Sequence, residues 1–574
     1  MKVLGLNCYH ADSSAALLAD GVIVNATEEE RFTRIKHWAG LPFNSIEFCL
    51  NDAKLSINEI DFIAIGRDPK VKVFKKIGYF LKNLSSSSGM LKSRLENRNN
   101  VVSIKNKIED IYGYCPPILN VEHHRSHLAS AFYASKFKEA TVVSIDGSGD
   151  FSTLMIGKGR NSEIEVLRSV DFPVSIGLLY SAFTQYLGFP YYGDEYKVMG
   201  LSPYGEAKYL KEIEQILWFD EEKLINWDTS FFDLTRGAIN YENNQPIVPR
   251  IYRDNLITLL GPSRKKNDPI NDFHKDVAAS LQRHVESIIF KVLNKAFDLN
   301  KSDNICIAGG VAQNSVANGK ILENTRFKHL YIPSAGHDAG ISLGAAQYVY
   351  FHKLKNKRTS ALYDANLGIE FNNDQIKKIL DDQKSQYTFM KDEYLFPFLA
   401  KRISEENVIG FFDGRAEFGP RALGSRSIIA DPRNPRAQQL LNEKIKKRES
   451  FRPFAPSILE EFGSDYFIDY QFTPFMERVL KIREDKRSLI PAVTHVDGSG
   501  RLQSVRKDLR PRYHKLISEF NKLTGIPILI NTSFNENEPV VNIPQEAIDT
   551  FNRTELDLLV LGNFVLSKGK INFE

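Results

Sequence analysis

The chain has 574 residues, 42% of them hydrophobic and 25% charged, with a formal net charge of +4. That length suits several domain-sized units with large cores, and the composition excludes a disordered chain. So small a net charge gives no argument for nucleic acid or a membrane as partner. No run of about 18 apolar residues exists, and residues 1–7 lack the apolar core of a signal peptide. Cys8, Cys49, Cys115 and Cys306 form no CxxC pair. This fits a reducing compartment and argues against a cysteine metal site, so a cytoplasmic location is expected.

From the N-terminus, residues 2–7 read as a strand, 10–14 as a polar turn and 15–19 as a second strand. Asp20-Gly21 is a tight-turn signal before a third strand, 22–27. The run EEERFTRIKH (28–37) reads as a solvated helix face or as a cluster that includes phosphate-binding cations. Residues 85–100, with SSSS and then scattered Lys and Arg, read as a mobile surface loop.

His123 and His127 stand four residues apart. On a helix that spacing puts two imidazoles on one face, where they can reach one ion. Residues 127–137 are helix-compatible, 140–145 form a short apolar strand, and DGSGD (146–150) reads as an acidic turn at its end. Two imidazoles with Asp146 suit zinc, iron or manganese better than magnesium or calcium. A further strand, 152–156, leaves that turn and meets Gly157-Lys158-Gly159 as the next turn. Residues 141–159 thus repeat the plan of residues 2–27. A duplication with a polar loop in each half is the plan of the ASKHA nucleotide-binding fold.

Residues 194–205, DEYKVMGLSPYG, read as a loop and a binding candidate. Residues 207–270 carry no assignable pattern. Residues 272–297 form a long amphipathic helix through Val277, Leu281, Val285, Ile288 and Ile289. The strand 304–308 runs into Gly309, Gly310 and Asn314, and a helix follows at 316–322. Glycines at such a turn let the backbone approach a phosphate or adenosine, and the helix start favours anions. Asp338, at the exit of a short strand at 330–333, is a fourth candidate ligand.

The polar, basic stretch 352–366 reads as a linker, which divides the chain into 1–355, a connection at 356–366, and 367–574. In the second part a strand at 408–412 enters a Gly/Arg-rich loop, 414–427, with Arg421 and Arg426. A helix bearing Lys444, Lys446, Lys447 and Arg448 follows, then Arg452 in FRPFAPS. Arginine is the residue for bidentate phosphate recognition. The cations are interleaved with apolar residues, which favours a phosphate-rich small ligand over an RNA surface or a structural ion-pair network. Residues 495–501 and 531–535 read as two further polar turns, the second after an apolar strand at 526–530.

With these motifs in order, EEERFTRIKH, HHRSH, DEYKVMGLSPYG, AGGVAQN, EFGPRALGSRSI, KKRESFRPFAPS, HVDGSGR and NTSFN, the chain resembles the O-carbamoyltransferases of the nodulation-factor and antibiotic-tailoring type. The resemblance implies a two-domain α/β enzyme: an ASKHA-like metal-binding domain followed by a YrdC-like domain. The second would join carbamoyl phosphate and ATP, with Mg2+, into carbamoyladenylate. The first would pass the carbamoyl group to a hydroxyl of a small acceptor. Carried over by motif, the metal ligands are His123, His127, Asp146 and Asp338, with Fe2+ the expected ion. Lys36, Asp146, Gly309, Gly310 and Asn314 would meet the nucleotide, and His10 and Asp12 the acceptor. Arg421, Arg426, Lys446, Arg448, Arg452, Arg501, Asn531 and Ser533 would hold carbamoyl phosphate and ATP. Asp12 is the candidate base for the acceptor hydroxyl. Ser499-Gly500 replaces a more usual Thr-Ala, and Ser202 a more usual Ala; neither removes charge. Two other functions fit parts of the pattern: a threonylcarbamoyl-forming tRNA modification enzyme, and a non-catalytic ATP-binding regulator.

Overall fold

The computed structural model describes residues 1–82, 103–234, 240–359 and 361–569. The loop expected at 85–100 lies outside the described residues. The chain divides into two compact units, Met1–Leu362 and Tyr363–Glu574.

Unit 1 contains two five-stranded sheets of like order. In the first, β1 (Lys2–Asn7), β2 (Ser14–Ala19) and β3 (Val22–Glu28) form an antiparallel meander, and β4 (Phe62–Ile65) and β5 (Ile118–Asn120) add in parallel. In the second, β6 (Glu139–Gly149), β7 (Ser152–Arg160) and β8 (Glu163–Asp171) form the meander. Two hairpins intervene, β9 (Leu217–Asp220) with β10 (Leu224–Trp227), and β11 (Asn240–Glu242) with β12 (Gln245–Ile247). Then β13 (Asn304–Ala308) and β14 (His329–Tyr331) complete the second sheet in parallel. The orders β3-β2-β1-β4-β5 and β8-β7-β6-β13-β14 are the same, which is the duplicated ASKHA plan.

The helix Gly340–Gln347 holds the first sheet to the ligand-bearing helix. A Cβ on Gly5 would stand 1.9 Å from the Ser342 carbonyl oxygen, and one on Gly344 1.9 Å from that of Ser126. Only glycine permits both approaches, which is why this helix is written in small residues.

Several local expectations are corrected. The helix His123–Phe132 starts four residues earlier than its composition suggested, and every residue in it except Arg125 is buried. An all-buried helix has no amphipathic stripe to mark its start. Strand β6 continues through Asp146 to Gly149, with a bulge after Ile145, and the turn falls at Asp150-Phe151, both at positive φ. Strand β7 runs through Gly157-Lys158-Gly159, whose glycines make room for Leu128 and Phe132. Residues 194–205 are mostly helical, Glu195–Leu201 and then Ser202–Tyr204; Pro203 and Gly205 end the helix and do not preclude it. The 28–37 run is no solvated face. Glu28, Glu29 and Arg31 are buried, and Glu29 accepts from Asn44 and Ser45 at the start of the helix Phe43–Asp52. Within the stretch read as a linker, Arg358 donates to the carbonyls of Phe132, Tyr133, Ser135 and Phe137 and so is fixed to unit 1.

Unit 2 is built on a nine-stranded sheet. Its strands are β15 (Thr388–Phe389), β16 (Ile409–Phe412), β17 (Arg426–Ala430), β18 (Ala455–Leu459), β19 (Arg478–Lys481), β20 (Ser499–Val505), β21 (Ile528–Ser533), β22 (Leu558–Leu561) and β23 (Phe564–Ser567). The spatial order is β15-β23-β22-β16-β17-β21-β18-β20-β19. The helices Asp392–Ser404 and Pro511–Thr524 bury Leu395, Phe396, Leu399, Leu516, Ile517 and Phe520 in its core. Arg501 and Asn531, expected in turns, lie within β20 and β21.

Candidate functional sites

In unit 1 the duplicated plan brings four side chains from three places in the sequence to one point. His123 and His127 come from the first two turns of their helix, Asp146 from the bulge of β6, and Asp338 from the loop before Gly340–Gln347. Ligand atoms of all four lie within 4.8 Å of one another. His123 Nε2 is 2.9 Å from Asp146 Oδ2, and His127 Nε2 is 3.6 Å from the same oxygen and 3.3 Å from Asp338 Oδ1. His127 is fully buried, yet neither of its ring nitrogens makes a hydrogen bond, nor does Asp338 Oδ1. Buried polar atoms are normally paired. Two imidazoles and two carboxylates aimed at one another, with the His127 nitrogens and Asp338 Oδ1 left without hydrogen bonds among the described residues, fit a transition-metal ion. The carboxylates are electron-rich in keeping with this. Burial pushes Asp146 up, but its hydrogen bond to His123 and the nearby His127 imidazole outweigh it and hold the group well below the usual range.

The surroundings fix these ligands. Gly310 N donates to Asp146 Oδ1 at 2.9 Å, leaving Oδ2 for the cluster. Gly309 adopts φ +95°, and a Cβ there would lie 2.2 Å from the Ile145 carbonyl oxygen. Asp150, to which no role was assigned from its local pattern, accepts from the backbone N–H of His123 at 2.9 Å and of Asp68 at 2.8 Å. His124 Nδ1 meets Ser144 Oγ at 2.8 Å, turning that third histidine away from the cluster. The signal for Asp150 was only a second acid at the end of the run DGSGD.

His10 and Asp12 stand beside this cluster on the loop between β1 and β2. His10 Nδ1 is 2.7 Å from Asp338 Oδ2. Asp12, at φ +60°, contacts His37 Nδ1 at 2.8 Å. Burial of the His37 ring opposes protonation, but Asp12 outweighs it and the imidazole is raised to about 9. Tyr192 packs edge-on to His37 at 5.0 Å between ring centres.

Two of the nucleotide candidates are placed otherwise than expected. The side chain of Asn314 caps the helix Ser315–Asn324 and exchanges two 3.0 Å hydrogen bonds with Gln282, so its amide is already engaged. Lys36 is exposed, at the surface beside His37.

In unit 2, Arg421, Arg448, Arg452 and Arg501 converge. The ionisation of Arg501 is held well below its ordinary value, first by burial and then by the charges of Arg421, Arg448 and Arg452. A guanidinium keeps its proton at neutral pH. The arrangement is therefore a standing repulsion that an anion relieves. Arg501 Nε is enclosed and makes no hydrogen bond among the described residues. Arg448 is steered by Asn442 Oδ1, 2.6 Å from its Nε, and by the Phe454 ring.

Three other candidates in unit 2 are held by protein groups. Arg426 is fully buried. It donates to the carbonyls of Asp413, Gly414, Ser425 and Ile369 and lies 3.6 Å over the Phe412 ring, so it holds the 413–427 loop. Lys446 follows the end of the helical turn Leu441–Ile445 and points inward; it is 1% exposed. Its Nζ donates to Ser533 O, Asn535 O and Asn535 Oδ1 at 2.6–2.7 Å and lies 3.3 Å from Ser533 Oγ. It therefore joins Ser533, also a candidate, to the end of β21. Asn531 is fully buried and donates to Gln503 Oε1 at 2.9 Å. Gln503 was missed by sequence reading; a glutamine in an apolar strand was its only signal.

No helix among the described residues is long and apolar enough to cross a membrane. A family model described as carbamoyltransferase N-terminus matches residues 2–347, and one described as carbamoyltransferase C-terminus matches residues 400–568. An uncharacterized protein of Synechocystis sp. is 40% identical over 99% of this chain and 96% of its own. Nodulation protein NolNO of Sinorhizobium fredii is 36% identical over 98% of this chain and 80% of its own. Nodulation protein NolO of Bradyrhizobium diazoefficiens is 38% identical over 78% of this chain and 79% of its own. With both halves of the family matched in order over nearly the whole length, the chain belongs to the carbamoyltransferase family and is a carbamoyltransferase.

Proposed function

We propose that unit 2 makes carbamoyladenylate from carbamoyl phosphate and ATP, and that unit 1 transfers the carbamoyl group to a hydroxyl of a small-molecule acceptor. In the first reaction water releases phosphate from carbamoyl phosphate. The carbamate oxygen then attacks the α-phosphorus of ATP, and pyrophosphate leaves. In the second, the acceptor oxygen attacks the carbamoyl carbon, AMP leaves with the bonding pair, and the hydroxyl proton is taken up by the protein.

The observation that carries this reading is the convergence of Arg421, Arg448, Arg452 and Arg501. Carbamoyl phosphate and ATP together bring about six negative charges, which a cluster of cations offsets. Mg2+ would accompany ATP. Lys446 supports the site by holding Ser533 and Asn535.

In unit 1, His123, His127, Asp146 and Asp338 would hold a divalent transition ion, with iron the first candidate. When bound, that ion supplies Lewis acidity against the charge that develops on the carbamoyl oxygen. His10 is oriented by Asp338, and Asp12 by His37. Together they border the space where an acceptor hydroxyl would lose its proton, and the Asp12 carboxylate receives it.

The test offers the full-length protein ATP and carbamoyl phosphate without acceptor. Pyrophosphate release is the expected result. Release that instead requires bicarbonate and threonine would overturn the reading in favour of tRNA-type threonylcarbamoyl formation, and no turnover under either condition would favour a regulator.

A further inference from the structure

The arginine cluster of unit 2 has one uncharged titratable neighbour, His495. His495 lies in the turn before β20. Ser499 and Arg501 are two apart in that strand and so share a face. Ser499 Oγ is 3.2 Å from His495 Nδ1 and 2.5 Å from Asp497 Oδ1. Ser499 Oγ has one proton, and the carboxylate of Asp497 only accepts, so that proton goes to Asp497. The serine oxygen then accepts from His495 Nδ1–H. This fixes the tautomer: Nδ1 carries the hydrogen and Nε2 carries a lone pair. His495 Nε2 is enclosed and has no hydrogen-bond partner among the described residues. On the same strand face, Arg501 Nε is an enclosed donor without an acceptor.

An unmatched acceptor beside an unmatched donor selects a ligand with both kinds of group. The fully ionised phosphoryl group of an acyl phosphate offers acceptor oxygens alone. A carbamoyl group offers an oxygen and an N–H. We propose that His495 is the specificity-determining residue of unit 2, and that its Nε2 accepts a hydrogen bond from the amide N–H of the carbamoyl group while the arginines hold the phosphate. Burial, with Arg501 nearby, lowers the His495 imidazole to about 4, against the pull of Asp497. It stays neutral and accepting at neutral pH, and it is too weak a base to remove a proton from water. This assignment rests on the reading that unit 2 binds carbamoyl phosphate.

The experiment measures binding of carbamoyl phosphate, acetyl phosphate and inorganic phosphate to the full-length protein by calorimetry. Acetyl phosphate replaces the amide by a methyl group of similar size. The expected result is that His495→Leu weakens carbamoyl phosphate about tenfold or more and leaves the other two within about twofold. His495→Asn, which can present a carbonyl oxygen, should restore part of the discrimination. Ser499→Ala, which frees the tautomer without removing the ring, should lose part of it. Arg501→Ala should weaken all three ligands. Equal weakening of all three by His495→Leu, or none, overturns this inference and leaves the carbamoyl phosphate reading standing. Wild-type protein that binds carbamoyl phosphate no better than inorganic phosphate, and releases no pyrophosphate with ATP, overturns both.

Discussion

His10 Nδ1 lies 2.7 Å from Asp338 Oδ2, and the other oxygen of the same carboxylate lies 3.3 Å from His127 Nε2. One side chain thus faces the metal-ligand cluster with one oxygen and the β1–β2 loop with the other. A carboxylate held in this way orients both neighbours, as outer partners of metal ligands do.

Replacing His127 by Ala should empty the cluster. Metal content measured by elemental analysis should fall from about one ion per chain to near zero. Transfer to the acceptor should fall at least a hundredfold, and pyrophosphate release should be unchanged. Loss of pyrophosphate release in this variant would show that the two reactions are not divided between the units as proposed.

Arg452 and Arg426 should behave oppositely. Arg452→Ala removes one charge from a repelling cluster, so pyrophosphate release should fall at least a hundredfold. Thermal stability should change by no more than about 1 kcal/mol, because relief of the repulsion with Arg501 is set against loss of the 3.7 Å ion pair with Glu449. Arg426→Ala takes the guanidinium from four carbonyls, leaving those of Asp413 and Gly414 without their donor, and opens a cavity over Phe412, at a cost of about 3 kcal/mol or more. Thermal melts alongside the pyrophosphate assay separate the two.

His37 should give unit 1 a pH-dependent stability. Its imidazole is raised to about 9, with burial opposing and Asp12 and then Glu30 outweighing both burial and Lys36. Folding therefore takes up a proton as pH passes above the unfolded value of about 6.5. The stabilisation is full below that value and is lost as pH rises through about 9. Its size is on the order of 2 kcal/mol, discounted for the part of the ring that solvent reaches. Urea melts of wild type and His37→Gln between pH 6 and 10 should converge at the alkaline end; parallel curves would sink the assignment.

Gly309→Ala should disable unit 1 without touching a ligand. The position has φ +95°, and the added methyl meets the Ile145 carbonyl oxygen at 2.2 Å. The backbone must shift, at a cost of about 3 kcal/mol. The Gly310 N–H is then pulled from Asp146, and metal affinity should fall about tenfold or more. Normal melting and normal metal content would contradict the geometry.

The sequence by itself determined the chemistry-bearing residues where a local rule applies. The i, i+4 histidines, the glycines after β13 and the strand–turn–strand repeats were legible because each depends on neighbours a few residues away. It also offered Asp338, as an acid at a strand exit. Only the tertiary structure decided which cations face a ligand. Arg426 and Arg421 read alike in one loop, yet one is enclosed by carbonyls and the other joins Arg501 from about 80 residues away. The fate of Lys446 was set by Ser533 and Asn535, and that of Asn314 by Gln282. A side chain's hydrogen-bond partners across a fold are fixed by which strands and helices pack, and packing is a sum over contacts that no short stretch of chain contains.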